Sequence, residues 1–373
     1  MTRRAYVHRI AAKAPDDVSG LEAAIAKGII DPSTIIAIFG KTEGNGCVND
    51  FTRGLASRAL KDALKPYRPT DGGQTVSIVM SGGTEGGLAP HLIVFEVREV
   101  GEKAEPNALA IGRARTPPLA YESMGRLAQV DSVAQGVRTA MRDAGIGSVA
   151  DVHFVQIKCP LLTADRIAEA EMRGAHVATR DTLKSMSLSR AASALGIAVA
   201  LSEVDMALIT DELIGQDLSV YSSRASASAG IELTDHEIVV LGVAPGWSGP
   251  LRIAHCVMQD SIDIEPVRAA LAHLGFEASG QLPAYDRARM IALLAKAEAS
   301  ASGSLRGYRH TMLNDSDISS TRHARAFVGG ALASLVGHAE IYVSGGAEHQ
   351  GPDGGGPVAI IATCDPLLEG VNS

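Results

Sequence analysis

The apolar run TIIAIFGK at residues 34–41 ends in a lysine, and the same pattern recurs as DVHFVQIK at 151–158 and RMIALLAK at 289–296. The first two runs are rich in β-branched and aromatic residues and are typical of short buried strands. The third run is rich in Ala and Leu and fits either a strand or a helix. A pattern that returns at intervals of roughly 110 to 140 residues predicts an internal repeat.

Further features recur around each lysine in one fixed order. An amphipathic helical pattern that ends near a glycine precedes each run, at 18–29, 133–146 and 264–276. A second helical pattern follows, opened by an arginine in each copy: Arg53, Arg190 and Arg325, with Arg322 as a competing candidate in the third copy. Next comes a small-residue turn with a serine and, four positions on, a glutamate: SGGTE from Ser81, SAGIE from Ser228 and SGGAE from Ser344. An apolar strand closes every copy, so the chain indicates triplication followed by divergence.

Each copy is predicted to form a helix, a strand, a helix, a turn and a strand, which together give a sheet with helices packed against it. Three copies predict an α/β protein of three repeat domains, which we place at residues 1–104, 112–249 and 255–373. The Pro/Arg-containing stretch at 111–119 and the Gly/Pro-rich APGWSGP at 244–250 mark the boundaries. A chain of 373 residues also exceeds what one hydrophobic core ordinarily holds.

Charge, hydropathy and cysteine usage exclude several classes of protein. The net charge of -8 and the lack of a dense Lys/Arg run argue against nucleic acid as a partner. No apolar stretch reaches the roughly 18 residues of a membrane helix, and the N-terminus lacks the apolar region of a signal peptide. Four scattered cysteines without paired spacings indicate reduced thiols. We therefore expect a soluble, cytoplasmic protein with no membrane partner.

The repeated serines, lysines and arginines suit one another chemically. A glycine-flanked serine offers a hydroxyl and backbone N–H donors, and an arginine presents a planar fork suited to imide or carboxylate oxygens. A single serine turn is better explained as a plain tight turn and a single lysine as a solvated strand end, whereas a single arginine fits a surface salt bridge equally well. Three copies favour a shared pocket, in which burial and nearby arginines would lower the pKa of Lys158 and let its neutral amine deprotonate a serine. Such a pocket suits a small planar ring with alternating carbonyl and N–H groups.

Three other motifs carry less weight. Residues 40–42 (GKT) imitate the end of a phosphate-binding P-loop, but Ile35 stands where that loop requires its first glycine. The histidines show no zinc-binding spacing, so a metal-activated water has no obvious ligand set. The insertion HQGPDGGGP at 349–357 is either a flexible loop or, because it exposes carbonyls beside a carboxylate, a site for Mg²⁺ or Ca²⁺.

Longer motifs resemble the cyanuric acid hydrolase and barbiturase family, and the likeness runs from Arg4 to the C-terminus. The motifs that carry it are FGKTEGNGCVNDFTRG, MSGGTEGGLAPH, VQIKCPLLT, SSRASASAGIEL, RHTMLNDSDI, TRHARAFVGG and VSGGAEHQGPDGGGP. The resemblance implies three structurally equivalent α/β domains around a pseudo-threefold axis, which form a central barrel-like core with three Ser–Lys pairs. It also implies a homotetramer.

The same resemblance implies roles for individual residues. Ser228 would be the nucleophile and Lys158 its base, whereas Thr321 and Arg322 would influence specificity. The supporting lysines would be Lys41 and Lys296. The substrate-binding residues would be Arg53, Ser81, Gly82, Arg190, Ser228, Ala229, Arg325, Ser344 and Gly345. A structural Mg²⁺ or Ca²⁺ would be held by Glu298, Ala347, Gln350, Gly351, Pro352 and Gly355.

The implied reaction is the hydrolysis of a cyclic amide without a catalytic metal. Cyanuric acid would open to carboxybiuret, which loses CO₂ to give biuret. A barbiturase, which converts barbituric acid to ureidomalonate with the same nucleophile, is the nearest alternative, and a ligand-binding protein without turnover is a third hypothesis. The residues alone do not choose among the three Ser–Lys pairs, and Ser226 rivals Ser228 because the alternation in RASASAG permits a shift of two.

Overall fold

The computed structural model describes residues 1–67, 76–277 and 279–364, so residues 365–373 of the expected third unit lie outside the described part. The helices are α1 (Ser19–Ala26), α2 (Phe51–Leu64), α3 (Leu127–Ala144), α4 (Ala164–Met172), α5 (Thr182–Ala200), α6 (Glu265–His273), α7 (Ala284–Arg289) and α8 (Ser320–Val336). The strands are β1 (Thr2–Ala11), β2 (Ile35–Thr42), β3 (Ser77–Gly82), β4 (His91–Val100), β5 (Leu109–Arg115), β6 (Val152–Pro160), β7 (Ala225–Gly230), β8 (Glu237–Val243), β9 (Trp247–Ser248), β10 (Leu251–Met258), β11 (Met290–Ala297), β12 (Ser304–Leu305), β13 (Tyr308–Arg309), β14 (Tyr342–Gly345) and β15 (Gly356–Thr363).

Three sheets share one strand order. They run β3-β2-β4-β1, β7-β6-β8-β5 and β14-β11-β15-β10, and the short strand β9 adds to the edge of the first beside β1. Among these four shared strands the first two are parallel and the other neighbouring pairs are antiparallel, whereas β9 is parallel to β1. The α/β fold with three equivalent units that the sequence predicts is therefore confirmed. Strands β5 and β10 begin at Leu109 and Leu251, just ahead of the starts assigned to the second and third units.

The three lysine runs form β2, β6 and β11, which lie inside their sheets and are buried along most of their length. The Ala/Leu-rich run of the third copy is a strand as well, because burial between sheet neighbours outweighs its weak local preference. Glycines in the left-handed conformation follow the first helix of every unit, with φ of 70° at Gly28, 75° at Gly145 and 80° at Gly275.

The structure differs from the sequence prediction in three local details. Each unit begins with a further strand, β1, β5 or β10, which the predicted order lacked. The serine of each unit lies at the end of a strand rather than in a turn. Arg190 and Arg325 lie within α5 and α8 instead of opening them, because those helices begin at Thr182 and Ser320. For α5 the start is fixed by Asp181, whose side chain accepts the N–H groups of Leu183 and Lys184.

The core consists of three separate sheets, not of one closed barrel. In the described chain, β-strand pairing between units is limited to β1 with β9 and to a single isolated bridge between Ser222 and Gln350. The sheets meet through side chains, and one buried apolar cluster contains Phe39, Phe154 and Leu294 from β2, β6 and β11. The expected barrel-like core is therefore not a closed barrel: the sheets meet through apolar packing, and apart from β1 with β9 the described strands of different units do not pair.

Helices pack against the sheets. Leu21 of α1 and Leu60 of α2 lie in a buried cluster with the first sheet, and α6 and α8 contribute to a second cluster with the third sheet. Helix α3 approaches β5 so closely that a Cβ atom at Gly112 would lie 2.1 Å from the carbonyl oxygen of Ala140. None of the described helices has the length and apolar character required to cross a membrane.

Candidate active site

Each sheet places one lysine beside one serine at the ends of two parallel strands. Lys41 of β2 is the register partner of Ser81 of β3. The equivalent partners are Lys158 with Ser228 and Lys296 with Ser344. Each of the three lysines is only 1% exposed. The repeated register gives every unit the same pair at the same place in its sheet.

The lysine amines tie the three units into a cycle. Each amine donates to the carbonyl that immediately precedes the serine of a neighbouring unit: Lys41 Nζ to Val343 O at 2.8 Å, Lys158 Nζ to Met80 O at 3.0 Å and Lys296 Nζ to Ala227 O at 3.0 Å. The first unit therefore contacts the third, the second contacts the first, and the third contacts the second. This closed cycle is the pseudo-threefold arrangement of the site.

Two arginines cross between units to bind the glutamates of the serine motifs. Arg190 donates to Glu348 through Nε at 2.9 Å and Nη2 at 2.6 Å. Arg325 donates to Glu85 through Nε at 2.9 Å and Nη2 at 2.8 Å. Arg53 donates instead to a backbone carbonyl of the second unit at 2.8 Å. The paired forks fix the planes of two guanidinium groups beside the serines.

A cleft at the centre of the cycle collects the predicted binding residues. It contains about 250 Å³ of empty space and is lined by Gly46, Arg53, Ser81, Gly82, Met186, Arg190, Ser228, Ala229, Arg325, Ser344 and Gly345. Every residue that the resemblance implies for substrate binding is in this lining. The three lysines lie on the strands next to those that carry its serines.

The supporting lysines bind the serine of their own unit, and their environment disfavours a positive charge. Their amines donate at 3.3 Å: Lys41 to Ser81 and Lys296 to Ser344. Burial, followed by the charge of Arg325, holds the pKa of Lys41 well below its usual range. Burial, followed by the charge of Arg190, lowers the pKa of Lys296 to about 7.

Lys158 has a different partner from the other two lysines. Its Nζ lies 2.9 Å from Glu232 Oε1, and within the described chain it makes no hydrogen bond to Ser228. Ser228 Oγ lies 3.2 Å from Ser344 Oγ. Burial lowers the pKa of Lys158, the Glu232 carboxylate opposes this effect, and the charge of Arg53 adds to it. The lowered pKa agrees with the environment expected from the sequence, whereas the carboxylate partner was not foreseen.

The structure separates the rival residues from the cleft. Ser226 is completely buried, and its Oγ is among the buried polar atoms of the described chain that have no hydrogen-bond partner. Arg322 Nε binds Glu85 Oε1 at 2.9 Å, the same oxygen that Arg325 Nη2 contacts, but Arg322 is not among the residues that line the cleft. The Thr321 side chain packs against the cleft, because a Cβ atom at Gly345 would lie 2.3 Å from its Cγ2.

The residues of the implied metal site lie around the end of β11 and the turn between β14 and β15. Ala347, Gln350, Gly351, Pro352 and Gly355 belong to this turn. Burial and the nearby Glu348 raise the pKa of the Glu298 carboxyl. The described residues contain no group of three or more His, Cys, Asp or Glu side chains that could hold a metal. One partly buried carboxylate with backbone carbonyls is, however, a donor set that suits a hard cation.

Sequence reasoning missed three residues at or beside the cleft. Gly46 and Met186 line it, and neither belongs to a repeated motif. Tyr342 is fully buried two residues before Ser344, and its hydroxyl has no hydrogen-bond partner among the described residues. Strand alternation gave a signal for Tyr342, because residues two apart in a strand point to the same face.

Three interlocked α/β units that direct matched lysines, serines and arginines to one cleft define a single-chain protein with a threefold-repeated pocket. The model of the amidohydrolase ring-opening protein family matches residues 6–363. The chain belongs to this family.

Its similarity to individual relatives extends over nearly the whole chain. The cyanuric acid amidohydrolase of Bradyrhizobium sp. is 62% identical over 363 residues, which cover 96% of this chain and 98% of the relative. The cyanuric acid amidohydrolase of Azorhizobium caulinodans is 62% identical over 358 residues, with 96% and 98% covered.

Solved structures agree with this similarity. The crystal structure of the A. caulinodans cyanuric acid hydrolase has a TM-score of 0.90 and 61% identity, and the match covers 97% of this chain and 99% of that one. A second cyanuric acid hydrolase, described as an evolutionary innovation by structural concatenation, has a TM-score of 0.92 and 48% identity, with 98% and 100% covered. The internal repeat seen in this chain agrees with that description.

Proposed function

We propose that the protein hydrolyses cyanuric acid by opening its ring. The relatives that share 62% of their residues with this chain bear the name cyanuric acid amidohydrolase. The observation that carries the proposal is the correspondence between pocket and ring. Three serines and three arginines line one cleft beside three buried lysines, and cyanuric acid has three equivalent pairs of carbonyl and N–H groups. Each unit can then bind one third of the ring with the same kinds of donor.

In the proposed reaction Ser228 is the nucleophile and Lys158 is its base. The neutral amine of Lys158 accepts the Ser228 proton while Oγ attacks a ring carbonyl carbon. The ring C–N bond then breaks, and the Lys158 ammonium returns the proton to the departing ring nitrogen. Water hydrolyses the acyl-enzyme ester with Lys158 again acting as the base, which releases carboxybiuret and restores the serine. Carboxybiuret loses CO₂ to give biuret.

The other cleft residues bind the ring and stabilise charge in this proposal. Arg53, Arg190 and Arg325 bind ring oxygens, and the serines of the first and third units donate to the carbonyls that are not attacked. Lys41 and Lys296 keep those serines in place through the contacts already described. Because most of the residues that line the cleft are buried, their donors stabilise a developing oxyanion more strongly than the same donors would in water.

We further propose a structural Mg²⁺ or Ca²⁺ and a homotetramer. When bound, the cation would neutralise the partly buried Glu298 carboxylate and fix the turn between β14 and β15 through the carbonyls of Ala347, Gln350, Gly351, Pro352 and Gly355. Its role would be confined to this part of the third unit. Light scattering of the purified protein measures the number of chains in the assembly, and a monomer or dimer would contradict the tetramer.

The deciding experiment compares turnover of cyanuric acid and barbituric acid by the purified protein, followed through loss of ring absorbance. We expect cyanuric acid to be preferred. Ser228→Ala should lower kcat by at least about a thousandfold, because removal of a nucleophile leaves only binding and electrostatic effects. Ser226→Ala is the matched control and should retain activity, since its hydroxyl is buried outside the cleft lining.

Each other outcome has a defined meaning. Preference for barbituric acid would identify a barbiturase, and Thr321 would be the first residue to vary because it packs against the cleft. Loss of activity in Ser226→Ala with normal activity in Ser228→Ala would contradict the assigned nucleophile. Binding of the ring without turnover of either compound would favour the ligand-binding hypothesis.

A further inference from the structure

The pseudo-threefold arrangement breaks at one glutamate. Glu85, Glu232 and Glu348 occupy equivalent positions, four residues after the serines of the three units. Glu85 and Glu348 each accept Nε–H and Nη–H of an arginine from a neighbouring unit. The equivalent partner for Glu232 would be Arg53, but Glu232 binds Lys158 at 2.9 Å instead.

The Nε–H of Arg53 lacks the glutamate acceptor that the Nε–H groups of Arg190 and Arg325 have. Its Nε is buried and has no hydrogen-bond partner in the described chain, and the nearest carboxylate oxygen with which it pairs, Asp50 Oδ2, is 3.7 Å away. The Nε atoms of Arg190 and Arg325 are the ones that bind glutamate at 2.9 Å. A buried N–H without an acceptor is unfavourable, so this donor favours any arrangement that brings a carboxylate to it.

The space around the glycine two residues after each serine shows the same break in symmetry. A Cβ atom at Gly83 would lie 2.4 Å from the Arg325 side chain, and a Cβ atom at Gly346 would lie 2.4 Å from that of Arg190. At the equivalent Gly230 the neighbouring atom is the carboxylate of Glu232 itself, at 2.1 Å. In the second unit the glutamate therefore occupies the space that an arginine fills in the other two.

We propose that Glu232 is a positioning residue with two alternative partners, Lys158 in the free enzyme and Arg53 when the ring is bound. This inference rests on the proposed function and explains how Lys158 becomes a base only after substrate arrives. The bound form would match the pairs that Glu85 and Glu348 already make. The Glu232 side chain is 22% exposed, against 14% for Glu85 and 17% for Glu348, so it is the least enclosed of the three.

The move changes the charge on Lys158. In the free enzyme the carboxylate partly offsets the effect of burial on the pKa of Lys158, which favours the ammonium form. When Glu232 turns to Arg53, the ammonium releases one proton to solvent and the neutral amine faces Ser228. The charged groups that act on Lys158 in this account are Glu232 and Arg53, with Cys159 beside it on β6.

The test is the pH dependence of Glu232→Gln, measured on kcat/KM and on kcat separately. The first reports ionisation of the free enzyme and the second that of the bound enzyme. Without the carboxylate, the acidic limb of kcat/KM should move to lower pH by about one unit or more, as expected on loss of an opposite charge at this distance. The acidic limb of kcat should move much less, because Glu232 has already left Lys158 in the complex. Ionisation of the substrate itself affects the pH profile of every variant equally, so it does not change the comparison between them.

Two variants control this measurement. Glu232→Asp keeps the charge and should restore the acidic limb of kcat/KM towards its original position. Glu85→Gln removes the equivalent carboxylate of the first unit and should lower kcat/KM by loosening Arg325, without displacing the acidic limb. An unshifted limb in a folded Glu232→Gln variant, or equal shifts in kcat and kcat/KM, would overturn the proposal.

A crystal structure of Ser228→Ala with cyanuric acid bound gives a measurement that does not depend on turnover. We expect the Glu232 carboxylate at hydrogen-bonding distance from Arg53 Nε. A carboxylate that stays on Lys158 in the complex would contradict the positioning role. Absence of turnover by the unaltered enzyme would contradict the proposed function, whereas normal turnover with an unshifted limb would contradict only the role of Glu232.

Discussion

Two neighbouring carboxylates of the third unit have opposite electrostatic surroundings. Burial alone would raise the pKa of Glu348, but the Arg190 guanidinium beside it lowers that pKa below its usual value. Glu298 is also partly buried, but its described hydrogen bonds come from the backbone N–H of Ala299 at 3.0 Å and the Thr321 hydroxyl at 3.2 Å. An ionised carboxylate in such surroundings is costly unless a cation compensates it. This difference is the residue-level reason to assign the proposed cation to Glu298.

Removal of the cation should therefore destabilise the third unit without abolishing the chemistry. We expect a chelator to lower the Tm of the unaltered protein, and added Mg²⁺ or Ca²⁺ to restore it, because a ligand that binds only the folded state stabilises that state. Turnover measured well below the Tm should persist. In Glu298→Gln, which keeps the shape of the side chain, the Tm should no longer respond to chelator. Differential scanning calorimetry measures the Tm of both proteins with and without chelator. An equal decrease in Tm in both would place the cation elsewhere.

At the scale of the elements, the sequence predicted the parts that follow from local pattern. The runs that end at Lys41 and Lys158 have the composition of buried strands, and both are strands. Strand β1 was missed because its apolar residues are interrupted by three arginines and a histidine, in TRRAYVHRIA, and none of the repeated motifs lies in it. The arginine–glutamate pairs between units, such as Arg190 with Glu348, join residues far apart in the chain, so no local sequence pattern predicts them. Of the nine binding residues, the three serines and the three arginines followed from the repeated pattern. Only the family resemblance named Gly82, Ala229 and Gly345.

Helix α8 contains two adjacent glycines, Gly329 and Gly330, whose surroundings differ. A Cβ atom at Gly330 would meet nothing within 4 Å, whereas one at Gly329 would lie 3.0 Å from the Leu88 side chain. Gly330→Ala should raise the unfolding free energy by about 0.5 to 1 kcal/mol, because alanine has the higher helix propensity. Gly329→Ala should be destabilising, since Leu88 or the helix must shift in a close-packed core. Denaturant unfolding of both variants checks this, and equal changes would contradict the packing of α8 against Leu88.

At the scale of the whole molecule, the units are joined by a few specific polar contacts as well as by apolar packing. The lysine cycle closes around the cleft, and a histidine pair lies between the second and third units. His153 of β6 and His255 of β10 lie with their Nδ1 atoms 3.0 Å apart and their rings edge to face. One Nδ1 must donate and the other accept, so the pair cannot form when both rings are protonated. The cytoplasmic location and the tetramer stay predictions.

This histidine pair makes the assembly of the units sensitive to acid. Burial is the main cause that lowers the pKa of both His153 and His255 from 6.5 to about 4, and the positive charge of Arg224 contributes to both. As the pH falls from 6.5 towards 4, the unfolded chain therefore takes up protons that the folded protein does not, and stability decreases. Above pH 6.5 this effect is absent. Each histidine can contribute up to about 1.4 kcal/mol per pH unit.

We expect His255→Gln to flatten the decrease in Tm between pH 7 and pH 5, because the amide does not titrate and no longer opposes protonation of His153. At pH 7, where both rings of the unaltered protein are neutral, the variant should have a Tm close to or below that of the unaltered protein. As the pH falls, this difference in Tm should vanish or change sign. His176 is a suitable control because it is exposed and lies neither in the cleft lining nor in this contact between units. His176→Gln should leave the slope unchanged. Parallel slopes for all three proteins would show that the acid sensitivity of the fold arises at other buried groups, such as His91 or His236, whose pKa values burial also lowers to about 4.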